Sequence, residues 1–287
     1  MVRHCICSGP NGDIALGDGR PLAIIAGPCA LETLDLALQI GTELRDLCAQ
    51  LGLTYVFKAS FDKANRTSAS SRRGVGMDAG LAILADVRAT LGVPVTTDVH
   101  LPEQAEPAAE VVDILQIPAF LCRQTDLLVA AAKAAAPRDR AVNVKKGQFL
   151  SPKEMNGPIG KIRAAGCDRV ILTERGTFFG YHALVNDFAG VGDLLELGDA
   201  RSPGPAVCFD ATHSVQRPGL TETTGGRRER IPLLARAAAA AGVDAIFLEV
   251  HPRPETAPSD AATMLPLHEA PHLVRTIAAI AAISRVR

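Results

Sequence analysis

Seven lysines stand against 23 arginines in this chain, and four of the seven (Lys58, Lys63, Lys145, Lys146) fall in two short stretches, FKASFDKANRTS at 57–68 and NVKKGQF at 143–149. Arg66 and Arg175 extend the set to six cations, each lying in or just behind a short apolar run. Like charges repel, and burying one without a partner is expensive. A set of this kind therefore calls for anions. Arginine offers a planar fork for phosphate or carboxylate, and lysine a movable point charge. Six cations exceed what one phosphate needs, so two phosphorylated substrates, or a phosphate with a carboxylate, fit better. Taken singly, each lysine has the commoner fate of a solvated loop charge. A second set is metal-like: Cys29, His213, Glu249 and Asp260. Thiolate, imidazole and carboxylates suit a divalent Zn, Fe or Mn ion acting without redox chemistry. Taken singly again, a cysteine is more often a small buried hydrophobe, and a histidine a core or capping residue.

Something must bring these residues together. Eight short apolar runs cover 21–29, 53–61, 93–100, 113–120, 141–149, 169–176, 205–213 and 244–252. They are rich in Val, Ile, Leu and Ala without strict alternation, as strands buried on both faces are. Helical patterns lie between them. Those at 33–52, 77–92 and 227–242 end on glycine, and that at 124–137 ends on proline, which are stop signals. Eight strand–helix units in 287 residues predict a single-domain (β/α)8 TIM barrel. The competing open doubly wound sheet would want a glycine-rich phosphate turn, and GPCALET after the first run is not one. Residues 1–20 read as an N-terminal β-hairpin, turning at GPNG, that covers the N-terminal mouth. The carboxyl ends of the runs carry, in order, Cys29, Lys58, Asp98, Gln116, Lys145, Arg175, His213 and Glu249. In barrels that face is the catalytic one.

Bulk properties exclude other classes. Net charge is −1, so no global field attracts nucleic acid or an anionic membrane. Trp is absent and Tyr occurs twice, which leaves few platforms for stacked bases. No apolar run reaches the roughly 20 residues of a membrane helix, and MVRHCICSGPNGD is not a secretory leader. Seven scattered cysteines suit a reduced, cytoplasmic setting.

The motifs KASFDKANR, TDVH, IPAFLCRQTDLL, NVKKGQFLSP, ERGTFFGY, FDATHSVQ and EVHPRPETAPSD occur in order over about residues 13–280. Together they resemble the metal-dependent, cysteine-containing class of the 3-deoxy-D-manno-octulosonate-8-phosphate synthase family. That resemblance implies a homotetrameric (β/α)8 enzyme that condenses phosphoenolpyruvate, D-arabinose 5-phosphate and water, releases inorganic phosphate, and feeds lipopolysaccharide assembly. It implies that Lys58, Ser60, Gln116, Lys145, Gln148 and Arg175 face phosphoenolpyruvate. Lys63, Asn65 and Asp98 would face the aldose, with Arg66 and Thr67 on its phosphate. The family more often has Ser where Thr67 stands. Cys29, His213, Glu249 and Asp260 would hold the metal, and no organic cofactor is implied. Lys58, Lys145 and His213 are the expected catalytic groups, Lys145 as a proton donor, while His100 is read as structural. The competing family, 3-deoxy-D-arabino-heptulosonate-7-phosphate synthase, uses erythrose 4-phosphate and typically reads Lys-Pro-Arg-Thr where this chain has Lys63-Ala64-Asn65-Arg66-Thr67. Two further alternatives are an aldolase forming a Schiff base on Lys58 or Lys145, and a non-catalytic sugar-phosphate sensor. The loop 217–230, with a Gly pair and four Arg, reads equally as a lid or as a solvated surface loop.

Overall fold

A computed structural model of the protein describes residues 2–64, 73–198, 203–219 and 225–284. Eight parallel strands follow one another around a closed sheet: β1 (Ala23–Gly27), β2 (Thr54–Lys58), β3 (Val95–Asp98), β4 (Ile114–Ile117), β5 (Ala141–Lys145), β6 (Val170–Glu174), β7 (Ala206–Asp210) and β8 (Ala245–His251). Closure is visible in the register: β8 pairs with β7 through Cys208↔Ala245 and with β1 through Ala245↔Ala23. The principal helices are α1 (Leu34–Gln50), α2 (Met77–Leu91), α3 (Ala105–Val111), α4 (Thr125–Ala135), α5 (Asn156–Ala164), α6 (Phe188–Leu195), α7 (Ile231–Ala241) and α8 (Ala270–Ser284). This is the (β/α)8 barrel that the eight runs predict. The helix stops also fall as expected. Gly92 ends α2 in the left-handed region at φ 64°, and α4 ends at Ala135, just before a single 3-10 turn containing Pro137.

The two faces of each strand do different work. One set packs outward against the helices, for example Ile24, Phe57, Leu115, Val144, Leu172 and Leu248. The other set points to the barrel axis and changes character along each strand. It runs Ala141, Asn143, Lys145 on β5, Ile171, Thr173 and then Arg175 on and after β6, Ala206, Cys208, Asp210 on β7, and Ala245, Phe247, Glu249 on β8. The inner layer is thus apolar at the N-terminal end and charged at the C-terminal end, which is what a barrel with its site at that mouth requires. The small residues Ala23, Ala141, Ala206 and Ala245 leave room at the bottom.

That room is filled by a hairpin. His4–Gly9 pairs antiparallel with Gly12–Gly17, turning at Pro10-Asn11. Its Cys5, Cys7, Ile14 and Leu16 join the inner apolar cluster. Backbone bonds from Ser8 to Asp139 (2.9 Å) and from His4 to Gly204 (3.2 Å) tie it to the loops entering β5 and β7. Arg3 Nε reaches buried Asp244 at 3.2 Å. Among the described residues, no helix is long and apolar enough to cross a membrane.

Candidate active site

The site grows from a close approach of β1 and β2. A side chain at Gly27 would sit 2.1 Å from the Lys58 carbonyl, so only glycine lets the chain run on beside β2 to Cys29. Past the strands, Ala30 bridges Ser60, and Leu31 N–H donates to the Ser60 carbonyl at 2.9 Å. This fixes Cys29, Lys58 and Ser60 on one wall.

From that wall Lys58 Nζ crosses the axis to Glu249 Oε1 at 2.6 Å and donates to the Cys29 carbonyl at 3.2 Å. Lys63 Nζ lies 3.8 Å from the same Glu249 oxygen, and Asp98 Oδ2 lies 3.8 Å from Lys58. Ser60 Oγ donates to Asp98 Oδ2. Asp98 Oδ1 accepts from Gln116 Nε2 at 2.6 Å, Gln116 Oε1 accepts from Asn143 Nδ2 at 3.0 Å, and Asn143 Oδ1 accepts from Thr173 Oγ1 at 2.8 Å. This buried ladder spans β3 to β6 and orients its amides, since each has one arrangement that satisfies both neighbours.

On the opposite side Asp210 Oδ2 accepts from Lys145 Nζ and from His213 Nδ1, both at 2.7 Å. Its Oδ1 takes the backbone N–H groups of Thr212 (3.1 Å) and His213 (2.8 Å). With Nδ1 so engaged, His213 Nε2 faces Glu249 Oε2 at 3.5 Å. The Phe247 ring forms a floor, its centroid 3.8 Å from Lys145 Nζ and 5.3 Å from Lys58 Nζ, a distance at which a cation is attracted by the ring face.

The electrostatics differ from a bare cationic cluster. Burial by itself would raise the carboxyls of Glu249, Asp98 and Asp210. The facing cations outweigh it and hold all three well below the usual carboxylate range: Lys58, His213 and Lys63 for Glu249, Lys58, Lys63 and Lys145 for Asp98, and His213 and Lys145 for Asp210. Each lysine at the mouth thus faces a carboxylate, so the six-cation set needs correcting. Lys146 departs further. It points away from the axis, with Nζ on the Leu150 carbonyl at 3.0 Å and 3.5 Å from Glu174 Oε1, because adjacent residues of a strand face opposite sides. Arg66 lies outside the described residues, as do Asn65 and Thr67. Arg175 remains open: Nη2 donates to Gln216 Oε1 at 2.5 Å, while Nη1 is buried without a partner. Gln148, on the loop after β5, is buried with a partnerless Oε1. His100 packs edge-on against Phe61.

Three of the four expected metal ligands converge. Donor atoms of Cys29, Glu249 and Asp260 lie within 4.8 Å of one another. The Cys29 thiol donates to Asp260 Oδ2 at 3.1 Å, and Ser259 and Gln216 donate to the two Asp260 oxygens at 2.8 and 2.9 Å. His213 stands outside that mutual group and joins it through Glu249. Glu249 Oε2 is a buried carboxylate oxygen with no hydrogen-bond partner. Such an oxygen, between a thiol, a second carboxylate and an imidazole, fits a divalent cation. Asp260 holds its place at φ 52°, a left-handed conformation that non-glycine residues seldom adopt. Burial, reinforced by the Glu249 charge, pushes the Cys29 thiol well above its ordinary value.

The chain matches the DAHP synthetase I family over residues 5–281. It is 52% identical over 277 residues to the 2-dehydro-3-deoxyphosphooctonate aldolase of Rhodopseudomonas palustris strain BisB5, covering 96% of this chain and 93% of that one. Proteins of the same name from Nitrobacter winogradskyi (51% over 275 residues; 96% and 93% covered) and Geobacter sp. strain M21 (51% over 273 residues; 95% and 96% covered) align almost as fully. A match of this extent settles the family: the chain belongs to the DAHP synthetase I family.

Proposed function

We propose that this protein condenses phosphoenolpyruvate with D-arabinose 5-phosphate and water, giving 3-deoxy-D-manno-octulosonate 8-phosphate and inorganic phosphate. The observation that carries the site assignment is the buried, partnerless Nη1 of Arg175, within a mouth whose lysines already have counter-charges. An arginine N–H in that position is a donor kept for an anion of the substrate. Arg175 would take the phosphate or carboxylate of phosphoenolpyruvate, with Gln148 and Lys145 beside it and Lys58, Ser60 and Gln116 on the facing wall. Asp98 and Lys63 would face the aldose, as would Asn65, Arg66 and Thr67, which lie outside the described residues. The names of the relatives support this product over that of the erythrose-using alternative.

The chemistry joins C3 of phosphoenolpyruvate to the aldehyde carbon. Water adds at C2, and the hemiketal phosphate then loses phosphate by C–O cleavage. The residues contribute mainly by positioning and by fixed charge. Lys145, held on Asp210, is the group placed to give a proton to the developing or departing oxygen. Cys29, His213, Glu249 and Asp260 would hold a divalent Zn, Fe or Mn ion, which supplies Lewis acidity toward an aldehyde oxygen or a water. Asp210 orients the His213 ring toward that set. A homotetramer in the cytoplasm completes the reading; Phe120 and Phe149, 54% and 55% exposed on the loops after β4 and β5, offer apolar surface to a subunit contact.

Phosphate release from phosphoenolpyruvate, measured with D-arabinose 5-phosphate beside D-erythrose 4-phosphate, tests this. A clear preference for arabinose is expected. A preference for erythrose would move the protein to the competing activity, and no release with either, in metal-replete enzyme, would overturn catalysis altogether.

A further inference from the structure

Beside the mouth, beyond Gln216, the loop after β6, the turn after β7 and the start of α7 enclose a cavity of about 240 Å³. Among the described residues, its wall includes Arg217, Arg227 and Arg230 and no Asp or Glu, although acids slightly outnumber bases in the whole chain (31 against 30). Among the described residues, the guanidinium groups of Arg217 and Arg227 have no ion-pair partner. An exposed arginine is ordinarily solvated, so this alone says little.

Two further features point the same way. The helix α7 opens with no acidic residue in its first turn and no side-chain cap, and its N-cap position is itself Arg230. A helix start ordinarily recruits acids, because its free amides and macrodipole favour negative charge. Here the surround is mainly basic, with one acid, Glu229, 3.8 Å from Arg230 Nε; the turn ahead of the helix already engages the Arg230 and Ile231 amides on the Arg227 and Arg228 carbonyls, so it is the arginine side chains that are left to an outside anion. Separately, Ser214 lines the cavity, is 2% exposed, and its Oγ has no hydrogen-bond partner. A buried hydroxyl without a partner costs free energy unless a ligand completes it. The rest of the wall mixes apolar residues, among them Val215, Leu233 and Leu234, with His182, Gln216 and Asn186, whose Oδ1 is also buried without a partner.

We propose that this cavity binds a small oxyanion, a phosphate monoester or a carboxylate carried on a short apolar body, at a site separate from the catalytic mouth. The guanidinium groups and the Ser214 hydroxyl hold the oxyanion, and the leucines hold the body. Gln216 forms a common partition. It lines the cavity while its side chain bonds Arg175 at 2.5 Å and Asp260 at 2.9 Å, so occupancy bears directly on two groups of the mouth.

Equilibrium dialysis with labelled inorganic phosphate and, separately, labelled butyrate tests this on the full chain. The comparison is between the unmodified protein and the Arg217→Ala/Arg227→Ala variant. Both substitutions are at exposed positions, and circular dichroism checks the fold. The unmodified chain should bind one more equivalent of at least one probe than the variant does. Ser214→Ala should weaken that component about three- to tenfold, consistent with one lost hydrogen bond. Arg217→Lys/Arg227→Lys should retain part of it. Loss of the phosphate component identifies a phosphate ligand, and loss of the butyrate component a carboxylate. Equal stoichiometry and affinity in the unmodified chain and the alanine variant, for both probes, would overturn the site.

Discussion

Asp210→Asn isolates one atom's worth of chemistry. The side chain is fully buried, and asparagine matches its shape. Its Oδ1 can still accept the backbone N–H groups of Thr212 and His213, now at 3.1 and 2.8 Å. What changes is the other oxygen, which takes both Lys145 and His213 Nδ1 at 2.7 Å. An amide NH2 there would face a second donor in Lys145 and could pair with the ring only if the imidazole reversed its tautomer. Breaking one side of a buried ion pair costs about 3–5 kcal/mol. The conserved backbone bonds put this case near the lower end, about 3 kcal/mol. For activity, each charge-assisted hydrogen bond is worth about 1.5–3 kcal/mol, or about 10- to 150-fold in rate. Urea unfolding would read the first quantity and kcat for phosphate release the second. Retention of the bound ion is a third readout, since removing the partner that orients a ligand histidine weakens metal binding about 10- to 100-fold. A variant within twofold of normal kcat and within about 1 kcal/mol in stability would refute the view that Asp210 organises Lys145 and His213.

Two more perturbations follow from the same geometry. Cys29→Asn should strip bound metal, measured by elemental analysis after gel filtration, and unchanged content would remove Cys29 from the ligand set. In the unsubstituted chain the thiol is protonated at neutral pH, its pKa being raised chiefly by burial. Glu249 and Asp260, held low by neighbouring cations against the effect of burial, are already ionised. Binding an ion therefore displaces the thiol proton, and affinity should climb at least about tenfold per pH unit between pH 6 and 8. A flat profile would mean that no thiol proton is lost. Gly27→Ala places a carbon 2.1 Å from the Lys58 carbonyl. It should part β1 from β2, lowering stability by about 3 kcal/mol or more and abolishing activity, and normal values for both would show that the approach tolerates a methyl group.

Much of the fold is legible in the sequence. The eight runs announce the barrel because strands buried on both faces read as unbroken apolar segments, and their carboxyl ends carry the site because side chains there face an open mouth. Asp210, Asn143 and Phe247 were missed, although for the last two the signal was present. Each of these two falls two residues from a residue already singled out, as Asn143 does from Lys145 and Phe247 from Glu249. Reading with a period of two from Lys145 and Glu249 finds Asn143 and Phe247 and turns Lys146 away from the axis, whereas Asp210, three residues before His213, lies off that count. What no one-dimensional reading supplies is which charges meet across the barrel. Lys58 and Glu249 are 191 residues apart, and counting the lysines without their carboxylates made a balanced mouth look purely cationic.

The hairpin beneath the barrel bears on the order of assembly. Its Arg3 meets Asp244 across 241 residues of sequence, at the entrance to the last barrel strand. The hairpin, synthesised before every strand of the barrel, is therefore among the last segments to find its seat, since the floor it seals exists only once β8 has closed against β1 and β7. Until then Cys5, Cys7, Ile14 and Leu16 have no apolar surface to cover. Contacts of such separation are slow to form, and an unsealed barrel bottom exposes the kind of surface that aggregates. Anything attached to the amino terminus therefore affects the final closing step of folding, at the end of the barrel opposite the catalytic mouth.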